Sequence, residues 1–222
     1  MNYFKIFNSN KNAGFSLVEL MVVITIITII LSAMVSRQNT FQERFRVDSK
    51  VYDLAIAIRQ AQAYTLGVRE FACSSNGSKT FDVSYGVHLN TANLNQFAFF
   101  VDANEDSLYN SPENGAGSCY TQITSLTTPG ITRICGVVFG GSKQCYPADG
   151  SIRDITLTFQ RPNPRPVMKF VNSGGSEITS LQNHANAAMY VYFGYNNQPG
   201  EIELKLEATG QVSIKYCGAT CP

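Results

Sequence analysis

Gly14-Phe15-Ser16-Leu17-Val18-Glu19-Leu20-Met21-Val22-Val23-Ile24-Thr25-Ile26-Ile27-Thr28 is the stretch on which the reading of this 222-residue chain turns. From Phe15 to Val35 the sequence is apolar apart from small hydroxyl residues and one carboxylate. At about 1.5 Å per residue such a helix reaches roughly 30 Å, the thickness of a bilayer's hydrocarbon core. One transmembrane helix is therefore predicted. Lys5 and Lys11 precede it in a polar leader, which the positive-inside tendency places on the cytoplasmic side, while Arg37 and Arg44 follow it. A secretory signal carries a small-x-small site after its apolar run, and between Leu31 and Arg37 no two small residues stand two apart. The small residue placed for cleavage, Gly14, comes before the run. Glu19 is the anomaly, because a carboxylate deep in an apolar span costs up to about 3 kcal/mol and calls for a cationic partner.

Beyond the membrane stretch the helical pattern continues. Val47, Val51, Leu54, Ile58, Ala61 and Thr65 recur at alternating steps of four and three, while Asp48, Lys50, Asp53, Arg59 and Gln60 fall on other faces. This is one amphipathic stripe, fit to lie on the chain's own domain, and Gly67 ends it. From Phe71 the period changes to two. Phe81, Val83, Tyr85, Val87 and Leu89 alternate with Thr80, Asp82, Ser84, Gly86 and His88, which predicts a strand with one buried face. Phe97 to Val101, Ile134 to Phe139, Ile155 to Phe159, Val167 to Val171 and Met189 to Phe193 also read as strands between Gly, Pro, Asn and Ser clusters. A closing hairpin runs Ile202, Leu204, Leu206, then Ala208-Thr209-Gly210-Gln211, then Val212, Ile214, Tyr216. The expected class is α+β, a long N-terminal helix packed on an antiparallel sheet or small β-sandwich.

Gly14-Phe15-Ser16-Leu17-Val18-Glu19 resembles the processing and methylation motif of type IV prepilins and pseudopilins. The other reading of these residues is a plain single-pass anchor with an incidental Glu19 near the headgroups. The resemblance implies that a prepilin peptidase on the cytoplasmic face cuts after Gly14 and methylates the new amino terminus, Phe15. It also implies that Glu19 pairs with the terminal amine of a neighbouring subunit during assembly, where low dielectric strengthens the attraction. Ser36 stands where many major pilins carry a helix-kinking proline. The implied organisation is pilin-like: a cleaved leader over 1–14, a transmembrane part of the helix over 15–36, its amphipathic part over 37–67, and a β-rich globular domain over 68–222. Long helix, β-rich domain and strand-Thr-Gly-strand ending further resemble the GspH/FimT-like branch of minor pilins and pseudopilins, through Ala55 to Val68 and Leu204 to Ile214. Members of that branch serve a type IV pilus or a type II secretion pseudopilus, near the tip or in starting assembly. The partners so implied are other pilins or pseudopilins, the peptidase, an inner-membrane assembly platform and membrane lipid, with the globular domain in the periplasm or outside.

Some members of the branch bind DNA through a Gly-Arg-x-Arg ending. Here Gly210-Gln211-Val212-Ser213 occupies that place, with Lys215 the nearest positive charge, so the arginines that would contact phosphate are missing. Net charge is +1, from 17 basic and 16 acidic residues without a basic block, which gives no electrostatic case for a nucleic-acid partner. The six cysteines are Cys73, Cys119, Cys135, Cys145, Cys217 and Cys221, all outside the apolar segment, and they suggest disulfides formed in an oxidising compartment. Six cysteines allow fifteen pairings. Proximity suggests Cys135 with Cys145 and Cys217 with Cys221, leaving Cys73 with Cys119; a zinc site is the rival, although no Cys-x-x-Cys occurs and His88 and His184 stand apart.

One loop carries ligand chemistry. In Asp102-Ala103-Asn104-Glu105-Asp106-Ser107-Leu108-Tyr109-Asn110-Ser111-Pro112-Glu113, oxygen-bearing side chains at Asp102, Asn104, Asp106, Asn110 and Glu113 take positions one, three, five, nine and twelve, the ligand order of a calcium loop. Against an EF-hand, Ser107 replaces the glycine of position six and a strand precedes the loop; an Asx-rich turn at a strand end is the alternative. No nucleophile motif surrounds either histidine, and Gly140-Gly141 and Gly174-Gly175 read as turns. A structural, non-enzymatic subunit is expected; a membrane-anchored periplasmic binding protein or hydrolase outside any fibre is the alternative. The loops Ser74 to Ser78 and Asn110 to Ser118 are candidate contact surfaces.

Overall fold

The computed structural model describes residues 14–67, 71–72, 79–80, 83–103, 105–109, 121–126, 130–137, 142–179, 187–195 and 199–221. Helix α1 spans Leu17–Leu66. Ser16 caps its start, its carbonyl accepting the Leu20 amide at 3.1 Å, and at the other end the Gly67 amide donates to the Ala63 carbonyl at 2.9 Å. The helix continues through Ser36. The chain divides into two compact units, Met1–Phe41 and Gln42–Pro222.

In the first unit, every described side chain from Gly14 to Val35 is exposed. The two threonines between Gly14 and Val35 do not leave bare hydroxyls: Thr25 Oγ1 donates to the Val22 carbonyl and Thr28 Oγ1 to the Thr25 carbonyl, each at 2.8 Å. Such back-bonding lets a polar group ride in hydrocarbon at small cost.

The second unit is built on the helical stripe that the sequence predicts. Val47, Val51, Leu54, Ile58, Ala61 and Thr65 are each at most 1% exposed. Thr65, the polar member, donates its hydroxyl to the Ala61 carbonyl at 2.9 Å and accepts the Tyr85 amide at 3.2 Å, pinning the helix to the first long strand. The opposite side of the same helix is also apolar. Phe45, Tyr52 and Ile56 point outward at 67%, 49% and 60% exposure, a stripe the sequence reading did not single out.

Two strands, β1 (Phe71–Ala72) and β2 (Lys79–Thr80), form a small ribbon. The others make two five-stranded sheets. In the first, β3 (Ser84–Asn90), β4 (Gln96–Asp102), β5 (Thr121–Ser125), β8 (Ile152–Gln160) and β9 (Asn163–Asn172) lie in the order β5-β4-β3-β8-β9. In the second, β6 (Ile131–Val137), β7 (Lys143–Tyr146), β10 (Ala188–Gly194), β11 (Glu201–Glu207) and β12 (Val212–Cys217) lie in the order β12-β11-β10-β6-β7. Every pairing among the described strands is antiparallel. The chain therefore leaves the first sheet after β5, lays down β6 and β7 in the second, returns for β8 and β9, and ends in the second.

Register aligns the apolar faces. Val87 stands opposite Phe99 on one side and Leu157 on the other, and Leu157 opposite Met168, so one row of side chains crosses the first sheet. Val191 stands opposite Ile134 and Leu204 in the second. These residues and the apolar members of the helical stripe, Val47, Val51, Leu54, Ile58 and Ala61, belong to a single buried cluster. The architecture is α+β, an N-terminal helix packed on antiparallel sheets in a pilin-like arrangement.

The expectation of one buried face for the strand through Tyr85 needs correction, because β3 is buried on both faces from Ser84 to Leu89. On its outer side Phe100 is fully buried, its ring placed over Gly86, where an added Cβ would lie 2.6 Å from both the Leu157 carbonyl and the Phe100 ring. Tyr109 closes this layer, stacking on His88 at 4.4 Å and meeting Phe100 edge-on at 5.2 Å. The strand expected from Ile134 to Phe139 starts earlier, at Ile131, and its last two residues lie outside the described ones.

Candidate functional site

The segment expected to be processed sits at a helix start. Gly14, Phe15 and Ser16 precede α1 in open backbone, and Glu19 falls in the first helical turn. Phe15 is 78% exposed, and among the described residues beyond its chain neighbours no atom lies within 4 Å of where a Cβ on Gly14 would stand. A carboxylate in the first turn also faces the positive end of the helix dipole. Leu17–Val35 follows as 19 residues of mean hydropathy 2.6, none of it buried, long and apolar enough to cross a membrane. Lys5 and Lys11, expected to stand in a leader, lie outside the described residues.

The second unit carries two disulfides among the described residues, Cys135–Cys145 and Cys217–Cys221. The first links directly opposed residues of β6 and β7. Both lie on the outer face of the second sheet, where Cys135, Cys221 and Tyr192 form a buried cluster bordered by Cys145, Cys217 and Tyr190. Arg133 ties the chain end down. Its Nη2 donates to Glu201 Oε2 and to the Cys221 carbonyl, each at 3.1 Å, and the Cys221 amide donates to the same Glu201 oxygen at 3.2 Å. The guanidinium lies 4.0 Å over the Tyr192 ring. Burial and the bond to Glu203 hold the Tyr192 phenol well above its ordinary pKa, so it stays neutral. The suggested partner pair Cys73 and Cys119 lies outside the described residues.

Of the residues expected as calcium ligands from their order in sequence, Asp102 and Asp106 are described; Asn104, Asn110 and Glu113 lie outside the described residues. Asp102 ends β4 and is fully buried. Its Oδ2 accepts the Ser107 amide at 2.9 Å, while Asp106 Oδ1 accepts the Leu108 amide at 2.8 Å. Burial pushes the Asp102 carboxyl up to about 6, against the pull of the backbone amides of Ser107, Glu105 and Asp106. Among the described residues, no three His, Cys, Asp or Glu side chains converge as a metal group.

His88 is held inside the layer closed by Tyr109. Its Nδ1 lies 3.2 Å from Thr156 Oγ1, a residue only 1% exposed, and its Nε2 lies 3.8 Å from Asp154 Oδ1. Burial outweighs the attraction of Asp154 and holds the imidazole down at about 4, so it is neutral at physiological pH. His184 and the loops 74–78 and 110–118 lie outside the described residues. The ending forms the expected hairpin: Leu204 opposes Ile214, Leu206 opposes Val212, and Gly210 turns with φ 87°. Lys215 is exposed there and stands opposite Glu203.

Sequence reasoning missed the Arg133–Glu201 clamp and the Tyr109 cover. Neither has a local signal, since Arg133 and Glu201 are 68 residues apart and Tyr109 sits in a polar loop.

A sequence profile described as the prokaryotic N-terminal methylation motif matches residues 9–35. The match supports a type IV pilin-like protein processed by prepilin peptidase, and with the apolar helix it is consistent with a membrane-anchored pilin. No curated protein and no solved structure matches the chain.

Proposed function

We propose that the chain is a minor pilin or pseudopilin subunit, cut after Gly14, methylated on Phe15, and assembled through its N-terminal helix into a type IV pilus or a type II secretion pseudopilus. The observation that carries this reading is the coincidence of the methylation motif with a helix start: open backbone at Gly14 and Phe15, Glu19 in the first turn, and 19 apolar residues behind it. Glu19 would meet the Phe15 amine of a neighbouring subunit, which satisfies its charge outside water and sets the register between helices. Side-by-side packing of the apolar helices would offset the cost of leaving lipid. The second unit, a folded α+β domain carrying two disulfides among its described residues, supplies the surfaces that choose neighbours. A minor role near the tip or at initiation rests on the resemblance to the GspH/FimT-like branch, and the lack of phosphate-contacting arginines at Gly210 to Ser213 weighs against DNA uptake.

Shearing surface fibres from native cells separates the two machines. Detection of the chain in sheared fibres at a low ratio to a major subunit is the expected result for a minor pilin. Confinement to the membrane fraction, with secretion lost on deletion of the gene, would instead assign it to a secretion pseudopilus. Presence in membranes with neither phenotype would overturn the assembly reading in favour of a membrane-anchored periplasmic binding protein or hydrolase.

A further inference from the structure

Two clefts among the described residues flank the same edge strand. β5 ends the first sheet, pairing with β4 in continuous register from Gln96 opposite Ser125 to Phe100 opposite Thr121, and no described strand lies beyond it. An open edge is a template for another chain, and proteins blunt it with charge, proline or a bulge. The other ends of the two five-stranded sheets carry such devices. β9 has Pro164, Pro166 and Lys169 and a shifted register against β8. β7 begins with Lys143 and is tied to β6 by a disulfide, and β12 carries Lys215 and runs into the Cys217–Cys221 loop. β5, Thr-Gln-Ile-Thr-Ser, has no charge, no proline and no shift.

Successive residues of this strand border different clefts. Thr124 borders an inner cleft between the strand and α1, walled by Ile56, Ala57, Phe97 and Phe99, with Asp53 beside them. Ile123, 56% exposed, borders an outer cleft with Ala98, His88 and Tyr109, and with Asn90 and Gln96. The clefts measure about 210 Å³ and 300 Å³. The smallest ligand pockets hold about 300 Å³, so each cleft suits a side chain better than a whole small molecule.

We propose that β5 is a docking strand for an extended segment of another protein, which adds to the first sheet and sends alternate side chains into the two clefts. Main-chain hydrogen bonds then supply affinity and the clefts supply choice. Area decides between a segment and a second copy. Five paired residues extend only about 17 Å, which falls short of the roughly 1,000 Å² that two folded domains need to hold together. Charge narrows the segment further. Asp53 is the one carboxylate lining either cleft; its Oδ2 meets Lys50 at 3.2 Å, and at 42% side-chain exposure it has room for a second cation. A lysine or arginine whose stem lies along Ile56 matches the inner cleft, and its neighbours in the segment are uncharged, like β5 itself. The site uses the second unit alone and does not depend on assembly through the N-terminal helix.

The test is amide hydrogen exchange on the full chain in detergent, alone and with peptides selected on it from a library of displayed random heptapeptides. Alone, the β5 amides that point away from β4 should exchange about tenfold faster, or more, than those of β4. A selected peptide should slow them by about tenfold or more, and the selected sequences should share alternating apolar positions and a Lys or Arg. Ile123→Lys places a charge on the edge at an exposed position, and Ile56→Ala strips the inner wall at another. Each should weaken peptide binding by about tenfold. Slow exchange throughout β5 in the free chain would overturn the proposal: if independent of concentration, a segment of this chain covers the edge, and if dependent, a second copy does. So would a library without enrichment, peptides that bind without slowing β5, or affinity unchanged in either variant.

Discussion

Replacing Glu19 by Val should leave the chain cleaved and methylated at Phe15 yet reduce its incorporation into fibres by about tenfold or more, as loss of a buried charge pair worth a few kcal/mol implies. Glu19 lies in the first turn of α1 and is exposed, so it makes no buried contact within its own chain, and its part in the fold is limited to a favourable place at the helix start. The substitution also makes the segment more apolar, which favours membrane insertion by up to about 3 kcal/mol. Any loss of assembly therefore cannot come from a failed anchor. Quantitative immunoblotting of sheared fibres against membranes, beside the parent chain, reads the effect. Equal incorporation of both chains would show that Glu19 has no part in register.

In the second unit, Leu54→Ala should cost about 3 kcal/mol of stability, within the usual 2–5 kcal/mol for emptying a fully buried leucine site. Ile56→Ala, two residues along the same helix, should change stability by less than about 1 kcal/mol. The contrast follows from burial, because Leu54 is 0% exposed and Ile56 is 60% exposed. Both substitutions keep helix propensity high, so the difference isolates packing against the sheets. Denaturant unfolding followed by tyrosine fluorescence suits a chain with 11 tyrosines and no tryptophan. Equal costs at the two positions would mean that the stripe from Val47 to Thr65 does not face the core.

That stripe was legible because a helix repeats its buried face every three to four residues, and each of the six positions named from spacing is buried. The closing hairpin was legible for a similar local reason: alternation on both sides of Thr209-Gly210 sets the register in which Leu204 meets Ile214. Long-range pairing left no such trace. Strands β5, Thr-Gln-Ile-Thr-Ser, and β7, Lys-Gln-Cys-Tyr, are short edge strands that bury little, so their sequences lack an apolar rhythm. The placement of β6 and β7 in the second sheet, between strands of the first, depends on contacts far apart in the chain. Burial of the outer face around Phe100 and His88 depends on Tyr109, which arrives from a loop.

The outward stripe of Phe45, Tyr52 and Ile56 teaches the converse point. Apolar residues on a helix do not all enter its own core, and periodicity alone could have led either face of this helix to be chosen. The polar residues Asp48, Lys50, Asp53, Arg59 and Gln60 decided the matter by breaking up the outer face. At the N-terminal site the legibility was of another kind. Gly14, Phe15 and Glu19 were recognisable as a motif, and the structure adds the exposed Phe15 and the helix start. At the Asp102 loop, the run of acidic and amide residues was visible in the sequence, while the full burial of Asp102 and the left-handed Ser107 were not.

The central claim is that Gly14–Phe15 is a processing site, and mass spectrometry of the chain's N-terminal peptide from native membranes and fibres tests it most directly. A peptide that begins at Phe15 and carries one added methyl group on its amine is the predicted result. A peptide that retains residues 1–14, with no methylation, would contradict the account and leave the helix as a plain membrane anchor.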